Sequence, residues 1–310
     1  MKIAITGATG LVGSRFFDLY KSHYELIPIS SSYGVDITDS KKLNKFLTQK
    51  KPALILHFAA KTNVDACEDD KDEDIKRLKK EKAIEAGTVD FEKLDVLKWK
   101  GVQSAFGINA IGTKNLSDYS HKNGIKIIYI STDFVFNGEK EGGYSEEDET
   151  DPIDWYGQTK FYGEKALLGD FLVTRISYPF GYKSFLKKDL IWTLVDLLTT
   201  NDSVKLVSDQ IITPTFIDDI VRGLNFLIEK NVSGLINLVG NNHLSPYDIG
   251  VAIAREFSLP ESKIELTTRA ELYSGRAARP FKVNLKNDKL KALGFQMTDF
   301  FDALLKIKTQ

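Results

Sequence analysis

The chemistry in this sequence begins with two side chains set one helical turn apart, Tyr156 and Lys160 in DWYGQTKF (154–161). An ammonium near a phenol favours the phenolate and draws the phenol pKa down from about 10. A phenol tuned that way passes a proton to or from an alcohol or ketone oxygen near neutral pH. The spacing also has a plain reading, an aromatic ring lying along a lysine stem on one helix face. A second feature weighs on the choice. TGATGLVG (6–13) places Gly7, Gly10 and Gly13 between an apolar, β-branched run and a helix-like run, the setting of a dinucleotide-binding loop. Gly7 permits the tight turn, Gly10 lets backbone approach a pyrophosphate, and Gly13 lets the helix pack on the sheet. The helix start offers free N–H groups to phosphates; Thr9, Leu11 and Val12 complete the cofactor contacts expected of this loop.

These residues need a scaffold, and its elements alternate. Strand-like runs occupy 2–6, 24–29, 53–60, 125–132, 171–177 and 234–240. Helix-like runs occupy 11–22, 40–50, 104–124, 156–168, 185–200, 215–230 and 245–257. Gly124 is a helix stop, and Ser245, Pro246 and Asp248 form a capping-box start. Alternation of this kind predicts an α/β, Rossmann-type doubly wound parallel sheet with a smaller C-terminal α/β substrate-binding lobe. Residues 1–175 and 211–240 are expected to bind the dinucleotide, and 176–210 and 241–310 to form the lobe. Ligands of such sheets bind beyond the C-terminal strand ends. The ends after Thr6, Ile29, Ala60, Thr132 and Ser177 are therefore expected along one crevice, within reach of Tyr156.

The second strand ends in PISSSYG. Ser30 and Ser31 are neutral where an acidic residue would bind a ribose and repel a 2′-phosphate, and Arg15 offers a cation to that phosphate. This favours NADPH, with NADH left open. In VDIT (35–38), Asp36, beside Ile37, can face an adenine amino group or serve as a turn residue.

Composition narrows the remaining classes. The chain has 310 residues and a formal net charge of −1, with 42 % hydrophobic and 27 % charged residues. No positive excess is present to hold a nucleic acid. No apolar run reaches the roughly 18 residues needed to span a bilayer. MKIAIT has too brief an apolar run for a secretory signal, and the one cysteine, Cys67, cannot form an internal disulfide, so a cytoplasmic protein is expected. Cys67 reads as a buried small residue. The four histidines are scattered, and no catalytic metal is expected. In residues 68–82, 13 of 15 positions are charged, seven acidic and six basic. That segment reads as a solvated helix or mobile insertion, or as a docking arm for an unknown partner.

With these motifs in order, the chain resembles the extended short-chain dehydrogenase/reductases, and within them the dTDP-4-dehydrorhamnose reductases. STDFVFNG (131–138), WYGQTKFYGE (155–164), TRISYPFG (174–181), SDQIITPTF (208–216) and RPFKVNL (279–285) carry the similarity. The resemblance implies reduction of the C4 ketone of a nucleotide-activated deoxysugar by NADPH. It makes Tyr156 the proton donor, Lys160 the residue that holds the nicotinamide ribose and lowers the phenol pKa, and Thr132 a hydrogen-bond partner of the reacting oxygen. Ala59, Ala60, Lys61, Asn109, Ser131 and Ser177 would adjoin the cofactor, and Val64, Asp133, Phe134 and Tyr178 the sugar. Val64, Phe134 and Tyr178 could equally be core residues. Four features depart from the family pattern: a long connection from Asp65 to Asn109, Tyr178 where tryptophan is usual, Phe180 where tyrosine is usual, and SSYG in place of a more typical second-strand end. A nucleotide-sugar epimerase or dehydratase that retains NAD, and a non-catalytic subunit like the regulatory subunit of methionine adenosyltransferase, remain alternatives. A homodimer is also left open.

Overall fold

The computed structural model describes residues 1–183 and 188–309. In chain order it contains β1 (Lys2–Thr6), α1 (Leu11–Tyr20), β2 (Glu25–Ile29), α2 (Ser40–Lys50), β3 (Leu54–His57), α3 (Val64–Lys80), β4 (Ile84–Glu85) and β5 (Thr88–Val89). A π-helical turn (Gly107–Gly112) leads into α4 (Thr113–Asn123), followed by β6 (Lys126–Thr132), α5 (Trp155–Lys165), β7 (Phe171–Ile176) and β8 (Pro179–Phe180). Then come α6 (Leu190–Thr200), β9 (Val204–Val207), β10 (Thr215–Phe216), α7 (Ile217–Glu229), β11 (Gly234–Asn237) and α8 (Pro246–Glu256). The chain ends with β12 (Ile264–Thr267), α9 (Arg269–Leu272), α10 (Asp288–Ala292) and α11 (Phe300–Lys308). Of the helix expected over 185–200, residues 185–187 lie outside the described residues.

The expected parallel sheet is present, with six strands in the order β11-β7-β6-β3-β1-β2. Its centre is apolar on both faces: Ile3, Ala4, Ile5, Ile55, Leu56, Ile127 and Ile128 are all fully buried, as continuous runs of this kind require. β1 runs parallel to both neighbours, with Ile5 level with Pro28 on one side and Leu56 on the other. A proline is tolerated in β2 because that strand is the sheet edge.

The backbone groups into two compact units, Met1–Ser131 with Asp154–Val173, and Thr132–Ile153 with Thr174–Gln310. Sheet membership and compactness divide the chain differently here, since β11 is a sheet strand yet groups with the second unit. The first unit has a cluster of large rings, in which Trp99 lies 4.9 Å from Phe106 and Trp155 6.2 Å from Tyr162. The second has its own core around Phe180, Ile191, Leu194, Phe216, Ile249 and Phe300. There Ser245 caps α8, and its hydroxyl bonds the Asp248 carboxylate in the expected capping box.

The charged segment belongs to α3. This helix buries Cys67, Asp74 and Leu78 on one side and exposes lysines on the other. The β4–β5 hairpin follows it, and the Tyr162 hydroxyl donates to the Gly87 carbonyl at 2.6 Å. Among the described residues, no helix is long and apolar enough to cross a membrane.

Candidate active site

The glycine loop joins β1 to α1, and two of its glycines are fixed by the fold. Gly7 has φ +66°, and a Cβ there would lie 2.7 Å from the Ala59 nitrogen. A Cβ on Gly13 would lie 2.2 Å from the Gly7 carbonyl. Gly10 is different. Its φ of −78° suits any residue, and a Cβ would meet only the Gly7 oxygen, at 3.3 Å. Gly10 is also the N-cap of α1, where no side chain caps the helix and the first turn holds no acidic residue. By contrast, Asp39, Asn63, Asp189 and Ser245 cap α2, α3, α6 and α8. An open helix start with glycine at its cap and a φ that does not require glycine fits a bound diphosphate. Ser131, at the end of β6, has a buried hydroxyl with no hydrogen-bond partner among the described residues.

α5 brings Tyr156 and Lys160 onto one face, both largely buried. Lys160 Nζ donates to the Ile130 carbonyl at 2.7 Å and lies 4.0 Å from the Tyr129 ring centroid. Burial lowers its pKa from 10.5 to about 7, partly opposed by Glu164. Behind this face, Asn109 acts as a strut. It accepts from Lys61 N–H at 2.8 Å and donates to the Lys61 carbonyl and the Thr159 hydroxyl, both at 3.0 Å. Thr159 in turn donates to the Tyr156 carbonyl. Both amide hydrogens of Asn109 are thus spent inside the protein. Ile37 likewise has a packing role, its side chain lying where Gly112 leaves room.

Sequence reasoning missed two groups in the first unit. The first is acidic. Glu68 accepts the Trp155 backbone N–H at 2.7 Å, Asp70 the Ala105 N–H at 2.7 Å, and Asp74 the Phe106 N–H and the Trp155 indole N–H, each at 3.0 Å. Asp70 also pairs with Lys61 at 2.5 Å. The acidic half of the charged segment therefore secures two helix starts. The signal was available: Cys67, Asp74 and Leu78 recur at helical spacing, with an acid where an apolar residue would serve. The second group is a chain through His57, whose Nδ1 lies 2.7 Å from Thr6 Oγ1 and Nε2 3.0 Å from Thr113 Oγ1. Thr113 donates its hydrogen to the Asn109 carbonyl, and Thr6 accepts from Ala59 N–H. Hydrogen counting then assigns Nε2 as the protonated nitrogen and Thr6 as the donor to Nδ1. Burial and the Lys160 charge lower the His57 pKa to about 3. Cys67 is inert, its thiol pushed up to about 12 by burial.

In the second unit, Thr132, Asp133 and Ser177 come together. Asp133 accepts from the Thr132 hydroxyl at 3.0 Å and from the Ser177 hydroxyl at 2.7 Å. Burial raises its pKa from 3.8 to about 6 against those hydrogen bonds. Thr132's single hydroxyl hydrogen is thus directed at Asp133, and a donor role toward a reacting oxygen requires it to turn. Phe134 and Tyr178 lie with ring centroids 6.2 Å apart. Tyr178 has φ +38°, a strained conformation for a bulky residue of the kind that gathers at functional sites. Gln210 serves structure, donating to the Pro280 carbonyl, and Asp209 accepts the Arg269 N–H.

Known proteins give this geometry a context. A dTDP-4-dehydrorhamnose reductase structure from Clostridium acetobutylicum is 30 % identical with a TM-score of 0.82, covering 100 % of this chain and 99 % of its own. A dTDP-4-dehydrorhamnose reductase from Bacillus anthracis, solved with NADP, is 26 % identical with a TM-score of 0.83, covering 99 % and 98 %. Methionine adenosyltransferase 2 subunit beta from Rattus norvegicus is 27 % identical, covering 96 % of this chain and 84 % of its own. The family model described as RmlD substrate binding domain matches residues 1–83 and 98–309, passing over the β4–β5 hairpin and the turns after it. With nearly its whole length matched, the chain belongs to the RmlD substrate binding domain family.

Proposed function

We propose that this chain is a cytoplasmic NADPH-dependent reductase of the C4 ketone of a nucleotide-activated deoxysugar, of the dTDP-4-dehydrorhamnose type. The observation that carries the reading is the pairing of buried Tyr156 and Lys160 on α5, in a chain whose α1 start is open to an anion. The reductases similar to it over their full length support the same substrate class.

When bound, NADPH supplies the hydride. The loop from Gly7 to Gly13, with Thr9, Leu11 and Val12, would hold its diphosphate, and Arg15 and Ser31 the 2′-phosphate end. Asp36 and Ile37 would adjoin the base, and Ala59, Ala60, Lys61, Ser131 and Ser177 would line the rest. Tyr156 gives its proton to the ketone oxygen. Lys160 favours the resulting phenolate, and with a pKa of about 7 its charge responds to any anion placed beside it. Thr132 donates to the same oxygen once its hydrogen turns from Asp133. Val64, Asp133, Phe134 and Tyr178 face the sugar.

Removing a donor to a developing oxyanion costs about 2.7–4 kcal/mol, or about 100- to 1,000-fold in rate. Tyr156→Phe is expected to slow NADPH oxidation by a dTDP-4-keto-6-deoxy sugar by that factor while leaving NADPH affinity within about threefold. Turnover at the wild-type rate would remove Tyr156 from the reaction. The alternative of a non-catalytic subunit is a chain that binds the dinucleotide without using it. It predicts NADPH binding with no turnover in the wild-type protein.

A further inference from the structure

The turn that carries Asp36 is gripped by a segment from the far side of the unmatched hairpin. Three residues there meet three residues of the turn. Lys100 Nζ pairs with Asp39 at 3.1 Å, Gly101 N–H donates to Thr38 Oγ1 at 2.9 Å, and Gln103 Nε2 donates to Asp36 Oδ2 at 2.9 Å. Within the turn, Asp36 Oδ1 accepts both the N–H and the hydroxyl of Thr38, each at 2.8 Å. A carboxylate offers about four acceptor sites. Thr38 fills the two on Oδ1 and Gln103 takes one on Oδ2. One site remains, on the oxygen that Gln103 holds.

We propose that Gln103 is a specificity residue for the base of the cofactor, fixing the Asp36 carboxylate so that its one remaining acceptor site takes the exocyclic amino group of adenine. The inference rests on the reading of the chain as a dinucleotide-dependent enzyme with Asp36 toward the base. Donors on both carboxylate oxygens prevent rotation about the Cβ–Cγ bond. Without Gln103, both acceptor sites of Oδ2 are open to water and the carboxylate is held from one side only. A hypoxanthine base presents a carbonyl in place of the amino group. It sets oxygen against oxygen, so it is rejected most strongly by a carboxylate that cannot turn away.

The test needs no turnover. The purified full-length chain is titrated with NADPH and with nicotinamide hypoxanthine dinucleotide phosphate, and dissociation constants are read by calorimetry. A hydrogen bond to a charged group at this half-buried turn predicts a preference for NADPH of about tenfold in the wild type. Gln103→Ala is expected to reduce that preference to about threefold or less, through weaker NADPH binding and tighter binding of the hypoxanthine nucleotide, with the melting temperature nearly unchanged because Gln103 is exposed. Asp36→Ala is expected to erase it. Full or increased preference in Gln103→Ala, with loss in Asp36→Ala, overturns the role of Gln103 and leaves Asp36 as the reader of the base. Preference retained in Asp36→Ala overturns both assignments. Failure of the wild type to bind either nucleotide defeats the dinucleotide reading itself.

Discussion

Two helices of the first unit start in opposite ways. α1 begins at Gly10 with no side-chain cap and no acid in its first turn. α5 begins with Asp154 accepting the Gly157 N–H at 2.9 Å and Glu68 accepting the Trp155 N–H at 2.7 Å. Every helix start carries roughly half a positive charge and about four N–H groups without intrahelical partners. In α5 the protein answers that charge itself, and the helix becomes a fixed mount for Tyr156 and Lys160. In α1 the charge is left for something from solution. The difference separates a helix that binds with its end from one that reacts with its side.

The largest effect comes from making α1 resemble α5. Gly10→Asp places a good N-cap at a φ of −78°, where the built Cβ meets one atom, the Gly7 oxygen at 3.3 Å, a tight contact that shifts that carbonyl by a few tenths of an ångström. Stability changes by a few tenths of a kcal/mol. NADPH affinity, measured by calorimetry, is expected to fall on the order of 100-fold or more, because a carboxylate set against a diphosphate costs several kcal/mol. Unchanged affinity in a folded Gly10→Asp variant would mean that the start of α1 does not hold the cofactor.

This contrast was only half legible in the sequence. The α1 start was readable because its cue is local: three glycines between an apolar strand and a helix, within eight residues. The sheet was readable for the same reason, each strand being a continuous apolar run. The mount of α5 was not. Asp154 lies one residue before the helix, but Glu68 lies 87 residues from Trp155 in the chain. Its function depends on a pairing of α3 with α5 that no local pattern specifies. An acidic block followed by a basic one reads as solvated surface when burial is unknown. Only the interruption of the Cys67–Leu78 face by Asp74 hinted at a polar group with a buried task. Gln103 and His57 were invisible for the same reason, as their partners are 67 and 51 residues away.

The reverse operation, making α5 resemble α1, has a smaller effect. Glu68→Ala leaves the Trp155 N–H without its acceptor. Loss of that charge-assisted bond is expected to cost about 1–3 kcal/mol in urea denaturation. NADPH affinity should stay within about twofold while kcat falls, because the mount moves and the open terminus does not. Glu68→Gln should recover most of the stability, since an amide oxygen still accepts. A Glu68→Ala protein as stable as wild type would show that Glu68 does not carry this helix start. Asp154→Ala removes the cap itself and is expected to cost about 1 kcal/mol, with recovery in Asp154→Asn.

The effect with the smallest net size in the wild type extends the contrast to buried charge. Behind the open α1 start, Thr6 is bonded to His57, which burial keeps neutral down to about pH 3. A charged imidazole there would add its own attraction for an anion to that of the helix end. From pH 3 to 6.5 the unfolded chain binds a proton at His57 that the folded chain does not, so this residue makes stability rise with pH. Asp133, in the second unit, works the other way. Its pKa rises from 3.8 to about 6 on folding, so between those values the folded chain holds the extra proton and stability falls as pH rises. Across pH 4–6 each slope approaches about 1.4 kcal/mol per unit, and they oppose. The wild type should therefore show little net slope from this pair. Subtracting wild-type stability from that of Asp133→Asn should give a curve that rises with pH, and from that of His57→Asn one that falls. Difference curves of the same sign would mean that at least one of these groups does not titrate as its burial dictates. If the odd one is His57, a cation stands behind the α1 terminus, and the charge available there to an anion is no longer that of the helix alone.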